Sequence, residues 1–307
     1  MNLSVITESV FTLFFIILVG VYGNRKKIIT AQINKGLIDI LIQIALPFMI
    51  FASFLFTYDE SIKTNVIKTL YYSIAAYIIM VAASHLLLLP IKNDKKIILH
   101  FANVFVNTGY VGFPILNSIY GSEGIVYGSI FNMFFVILVW TYGIILYKGD
   151  FNKKELGLEI RKILLNPSII AVCLGLMIMI SGIQLPGVIL SSVRNIGSIT
   201  GTLSMLIIGT ILSEVKIKNY VKDWTIYYGI VTKLIIIPMI IYFFSILIDE
   251  SSKSINTVII MAAMPASAMT SILAEQYNKE KDYAAVIVSV TTLLSLVTVT
   301  LFLKVIL

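Results

Sequence analysis

Ten mostly apolar runs fill nearly the whole chain, and each is close to the ~20 residues a helix needs to cross a ~30 Å hydrocarbon core. They lie at 5–22, 36–57, 66–90, 97–120, 125–147, 163–182, 193–213, 224–248, 255–277 and 283–305. The connections are short, so no stretch remains for a soluble domain. The longest polar stretch, Lys148–Lys162, falls at the middle of the chain. Only 13% of the residues are charged and 58% are hydrophobic. A water-exposed globule carries about 25% charged residues, so the bilayer is the natural solvent here. The fold class that follows is all-α integral membrane, with ten transmembrane helices. The first run, Val5–Tyr22, has no basic segment before it and is followed by Arg25, Lys26 and Lys27. That order suits a first spanning helix rather than a signal peptide.

The net charge of +7 reads as topology. Of the 23 Lys and Arg residues, 17 fall in the loops after spans 1, 3, 5, 7 and 9. By the positive-inside rule those loops are cytoplasmic, and both termini are extracytoplasmic in a multi-pass protein of the cell membrane. The basic residues do not form a face interleaved with aromatics, so nucleic acid is not an expected partner. Five spans precede the central polar stretch and five follow it. The chain therefore divides into a first five-helix repeat (1–147), a cytoplasmic connecting loop (148–162) and a second five-helix repeat (163–307). The two halves start on opposite sides of the membrane, which is the condition for an inverted repeat.

Spans 4 and 9 occupy matching places in the two halves, and both carry helix breakers. Span 4 contains Asn107-Thr108-Gly109-Tyr110-Val111-Gly112-Phe113-Pro114, and span 9 contains Met264-Pro265-Ala266-Ser267-Ala268. A proline inside a helix costs about 3 kcal/mol, because it removes a hydrogen bond and clashes with the preceding turn. In lipid, broken helices persist only where protein or water satisfies the freed backbone. Half-helix N-termini present positive partial charge and unbonded N–H groups, which suit a carboxylate. If the two breaks cross, two such ends meet near the midplane.

The candidate substrate-binding residues are Asn103, Asn107, Thr108, Gly109, Tyr110, Gly112, Pro114, Asn132, Met264, Pro265, Ala266, Ser267 and Thr270. Buried amides both donate and accept, although they also serve as interhelical glue. Asp39, Lys233 and His85 are candidates for proton or charge coupling, since ionisable groups are costly inside spans. Each has a structural alternative: Asp39 solvated at a helix start, Lys233 snorkelling to the interface, and His85 packed. Pro47, Pro167 and Pro238 read equally well as ordinary kinks or helix starts.

Other chemistries lack their residues. The single cysteine, Cys173, rules out a disulfide framework, and His85 and His100 stand apart with no metal-ligand spacing. No GxxxxGK[ST] phosphate loop occurs, and no nucleophile–base set lies within the spans. The expectation is a transporter without cofactor or metal, and not an enzyme.

Taken in order, these motifs resemble the auxin efflux carrier family in its short bacterial form, whose members are often described as malate permeases. The resemblance rests on the 107–114 segment, on Asn166-Pro167-Ser168 and Gly182-Ile183-Gln184-Leu185-Pro186, and on Ala262-Ala263-Met264-Pro265-Ala266. It rests also on Ala274-Glu275-Gln276-Tyr277 and Ser289-Val290-Thr291-Thr292-Leu293-Leu294-Ser295. It covers essentially the whole chain. It implies two inverted five-helix repeats with broken helices 4 and 9 crossing at the substrate site, an elevator-type movement, a homodimer, and an organic anion as substrate. Asn107, Pro114 and Pro265 match the family's crossover positions. The ninth-span break lacks the asparagine that plant carriers place beside the proline, so a small mono- or dicarboxylate of malate type fits better than auxin. A sodium-coupled symporter of the bile-acid type and a ligand sensor without flux are the competing readings.

Overall fold

Prolines, glycines and a few side-chain caps decide where this apolar chain stops being helix. The structure, a computed structural model, describes residues 3–55, 60–92, 94–149, 153–214, 220–248 and 252–306. Residues 56 and 57, which the hydropathy pattern gives to the second span, and the 150–152 part of the connecting stretch lie outside those ranges.

Among the described residues the regular elements are helical. In chain order they are α1 (Leu3–Arg25), α2 (Ala31–Ser53), α3 (Glu60–Leu87) and α4 (Asp94–Val104). The run Thr108–Lys148 is 41 residues long. As a straight rod it would measure about 60 Å, twice the hydrocarbon thickness. It turns instead at Gly121 (φ 58, ψ −143), a backbone conformation that L side chains rarely adopt. The turn yields α5 (108–120) and α6 (122–148). There follow α7 (Lys153–Leu164), α8 (Pro167–Ser181), α9 (Gly187–Glu214), α10 (Trp224–Leu247), α11 (Lys253–Ala262), α12 (Met269–Gln276) and α13 (Lys281–Ile306). Five of these helical runs are long and apolar enough to cross a membrane, and the bent 281–304 segment makes a sixth.

Pro47, Pro114 and Pro238 each sit two residues beyond a π turn, at 41–45, 108–112 and 232–236. Proline has no N–H to give and its ring crowds the carbonyl four residues back, so the turn before it widens. Pro167 is different. It occupies the first position of α8, where its missing N–H costs nothing, and Asn166 caps the helix by accepting from the Ser168 and Ile169 amides at 3.0 and 3.3 Å. Gly182 (φ 67) ends α8 in the left-handed region.

The connecting stretch carries a helix of its own, α7. It exposes Leu158, Ile160 and Leu164 beside Arg161 and Lys162, a mixture suited to a membrane interface.

The helices pack in two groups. In one, α1 lies against α9, and α2 against α8 and α9. Gly20 and Gly209 bring α1 and α9 into backbone contact, since a Cβ on Gly209 would stand 2.2 Å from the Ile17 carbonyl oxygen. Small residues permit this approach where lipid offers no hydrophobic drive. The second group is built from α3 to α6 and α10 to α13. The two groups meet where α9 crosses the start of α5, and where α1, α2 and α8 lie against the 113–138 stretch.

Candidate functional site

Both interrupted helices break, and their breaks touch. The α4 helix ends at Val104 and the chain resumes helical form at Thr108. The α11 helix ends at Ala262 and α12 begins at Met269. Between them Val106 and Ala266 form an isolated antiparallel bridge. The Asn107 amide donates to the Pro265 carbonyl at 2.8 Å, and the Ser267 amide donates to the Phe105 carbonyl at 3.0 Å. Each interruption supplies partners for the backbone groups that the other has freed, which satisfies the requirement that hydrocarbon imposes.

This arrangement changes the expected offer of bare amides. Two of the N–H groups at the breaks are spent on each other. The Ala266 amide goes to Thr291 Oγ1 at 3.3 Å, the Tyr110 amide to Asn107 Oδ1 at 3.0 Å, and the Met269 amide to Ser267 Oγ at 3.2 Å. The amides of Gly109 and Ala268, in the first turns of the two following half-helices, have no hydrogen bond among the described residues.

The sequence-predicted residues are largely brought together here. Asn107 is buried and acts as the N-cap of the 108–112 turn. Thr108 Oγ1 donates to Asn132 Oδ1 at 2.6 Å, joining the crossing to α6. Gly112 lies against α11, where an added Cβ would meet Met261 Sδ at 2.7 Å. Met264, Pro265, Ala266, Ser267 and Thr270 are buried, and Thr270 Oγ1 is a buried hydroxyl without a partner among the described residues. Gly109 is half-buried and Tyr110 is buried beside it. Pro114 is the seventh residue of α5, just past the 108–112 π turn, rather than in the break, which lies at 105–107.

Asn103 closes the C-terminal end of α4 within a polar cluster. Its amide nitrogen donates to Ser84 Oγ at 3.1 Å and its Oδ1 accepts from Thr232 Oγ1 at 3.3 Å. Its main-chain carbonyl accepts from Lys233 Nζ at 3.3 Å. Lys233 does not snorkel. It is 0% exposed, the one Lys or Arg among the described residues with its side chain fully buried. Its amino group sits at the negative end of a half-helix dipole, which favours the protonated form that burial disfavours. No carboxylate pairs with it among the described residues.

Two of the predicted coupling residues lie elsewhere. Asp39 is exposed on α2, though within electrostatic reach of Tyr110, and His85 is exposed on α3. His85 stands edge-on to His100 with ring centroids 6.4 Å apart. His100, buried on α4, pairs with the Tyr142 hydroxyl at 2.6 Å. Ser84, Thr232, Thr291 and the His100–Tyr142 pair were not singled out from the sequence as site residues. The one available signal was that Thr291 falls within a quoted motif and Thr232 adjoins Lys233. No group of three His, Cys, Asp or Glu side chains suited to a metal occurs among the described residues.

The space at the crossing is small. A cavity of about 10 Å³ lies between Asn107, Tyr110, Ala268 and Thr292 on one side and Ile208, Ile211 and Leu212 of α9 on the other. That is at the lower limit for a single water, so a carboxylate enters only if α9 and the crossing separate.

Comparison with known proteins identifies a family of membrane transport proteins. Residues 5–303 match the family described as Membrane transport protein. An uncharacterized transporter of Methanocaldococcus jannaschii is 26% identical over 313 residues, covering 96% of this chain and 97% of the relative. Another, from Methanothermobacter thermautotrophicus, is 23% identical over 304 residues with the same coverage, 96% and 97%.

Proposed function

This chain belongs to the membrane transport protein family, that of the auxin efflux carriers, and is a transporter rather than an enzyme; from that premise we propose that it carries a small organic anion past the crossed interruptions. It is a multi-pass membrane protein, and its partners are the bilayer and a small-molecule substrate. The finer reading is of ten spanning helices in two inverted five-helix repeats, with both termini extracytoplasmic and the protein assembled as a homodimer in the cell membrane. The substrate is a mono- or dicarboxylate of malate type.

One observation carries this reading: two broken helices are stitched together by the Asn107 and Ser267 amides within a buried polar cluster. Stability alone would favour unbroken apolar helices at that depth. The half-helix ends and the buried Lys233 ammonium favour an anion over a cation. Closure of the crossing by Ile208, Ile211 and Leu212 favours a mechanism in which the group holding the crossing slides past α9, an elevator-type movement. A cation in the place where a sodium ion would need carboxylate and carbonyl oxygens argues against the sodium-coupled alternative.

The test is flux of malate and related carboxylates into proteoliposomes. Asn107→Ala removes the cap on the 108–112 turn, and we expect at least a tenfold loss of flux with the unfolding temperature within a few degrees of the parent. Unchanged flux removes the crossing as the site. Saturable binding without any flux favours the sensor reading.

A further inference from the structure

A second polar space lies away from the crossing. It is a cavity of about 450 Å³ between the two packing groups, walled by α1, α2, α5, the start of α6 and α9. On α9 its lining residues fall at 194, 197, 198, 201 and 202, and on α5 at 114, 117 and 118, each set one face of a helix. That face of α9 bears Arg194, Ser198 and Thr202, with Gly201 leaving the wall open, since a Cβ there would meet nothing within 4 Å. Opposite stand Asn117 and Ser118, with Ser53 from α2. Arg194 and Thr202 lie seven and fifteen residues into α9, so the cavity runs from roughly 10 to 22 Å along that helix. It ends at Pro114, seven residues past Asn107.

Charge decides what such a space holds. No Asp or Glu side chain lines it among the described residues, and the nearby Glu123 is already paired with Lys253 at 2.6 Å. Arg194 makes no ion pair or hydrogen bond among the described residues, so its five donors are unspent. A guanidinium exposed at the mouth of the cavity, with hydroxyls and an amide around it, matches a carboxylate by bidentate geometry.

We propose that this cavity is an anion-collecting site on the transport path, separate from the crossing, at which the Arg194 guanidinium holds the carboxylate of the small organic anion. Its place on a path rests on the transport reading above; its preference for anions does not. The volume suits a small carboxylate with some of its water.

Cys173 is the single cysteine, which makes the experiment direct. In Cys173→Ser protein reconstituted in liposomes, Ser198→Cys places one thiol on the cavity wall. Its rates with anionic sulfonatoethyl, cationic trimethylammonioethyl and neutral methyl methanethiosulfonates are measured, each normalised to the rate with a free thiol. The sulfonate is the probe anion. We expect the anionic reagent to be favoured over the cationic one. Arg194→Gln should reduce that preference about tenfold, as expected for one charge a few ångströms away, with the neutral rate unchanged, and Arg194→Lys should retain most of it. An unchanged preference in Arg194→Gln overturns the proposal, as does a thiol that the neutral reagent does not reach. Asn107→Ala tells the two readings apart. It leaves the charge preference intact, so a preference that persists while Asn107→Ala carries carboxylate as fast as the parent keeps the cavity and removes the crossing.

Discussion

Replacing Lys233 by methionine sets stability against transport, and the structure gives the sign of each. The side chain is 0% exposed and its one hydrogen bond among the described residues, to the Asn103 carbonyl, is 3.3 Å long. Burying an ammonium without a carboxylate costs several kcal/mol even after relaxation. A charged hydrogen bond returns about 1.5–3 kcal/mol, and a long one lies at the lower end. The dipole at the end of α4 adds about 1 kcal/mol. Methionine has nearly the same volume and adapts to its surroundings, so Lys233→Met should leave stability unchanged or raise it by about 1–2 kcal/mol. In a chain of this size that is an increase of a few degrees in unfolding temperature. A destabilising charge kept at such depth implies a use for it, as active sites commonly trade stability for function. Carboxylate flux in proteoliposomes should therefore fall at least tenfold in the variant that unfolds later. A variant that unfolds several degrees earlier and still transports would refute the reasoning, because Lys233 would then be a structural cap and nothing more.

Further outcomes follow from individual contacts. Thr108→Val removes the donor to Asn132 and leaves a buried amide oxygen unpaired; thermal unfolding in detergent should show a loss of about 1–3 kcal/mol, while Thr108→Ser should keep most of it. Gly209→Ala drives a Cβ to within 2.2 Å of the Ile17 carbonyl oxygen, backbone that cannot rotate away, and should cost about 1–3 kcal/mol by the same measurement. At the edge of the membrane region, partial burial pushes the Asp223 carboxyl up, but hydrogen bonds from Lys95 at 2.7 Å and from Thr225 outweigh it and hold it below its ordinary range. A depressed carboxyl stabilises above its unfolded value, near pH 3.9, and that contribution is lost as the pH falls through the folded value. Asp223→Asn should therefore flatten the acid side of the unfolding-temperature profile below about pH 5, by less than about 1 kcal/mol because the pair is partly exposed.

Much of the crossing could be read before any coordinates, because breakers are local. Pro265 and the Asn107–Gly109–Gly112 cluster mark where a helix fails, and failure depends on φ, a missing N–H and a missing Cβ. The partner of each failure is not local. Nothing in Val106 or Ala266 announces that they pair, since main-chain bonds leave no trace in side-chain identity. The role of Lys233 was undecided for a related reason: a lysine near a helix end snorkels or turns inward according to the neighbours it finds, and the Asn103 carbonyl is distant in sequence. Pro114 marks the widened 108–112 turn that precedes it, and stands seven residues past Asn107, where the break at 105–107 ends. The α7 helix was hidden by composition, because an interfacial helix with many charges reads as a loop when only spans are sought. The polar face of α9 around Arg194 had a legible helical spacing, but it gained meaning only once Pro114, Asn117 and Ser118 stood across from it.

The bridge between Val106 and Ala266 has a mechanical consequence. A joint made of peptide groups is indifferent to what the neighbouring side chains are, so residues around it can be exchanged, and cargo preference retuned, without loosening the hinge-point itself. It also makes the two interrupted helices a single lever: α4 with α5 and α11 with α12 cannot be displaced independently while those two hydrogen bonds hold, and a push on either pair is carried to the other.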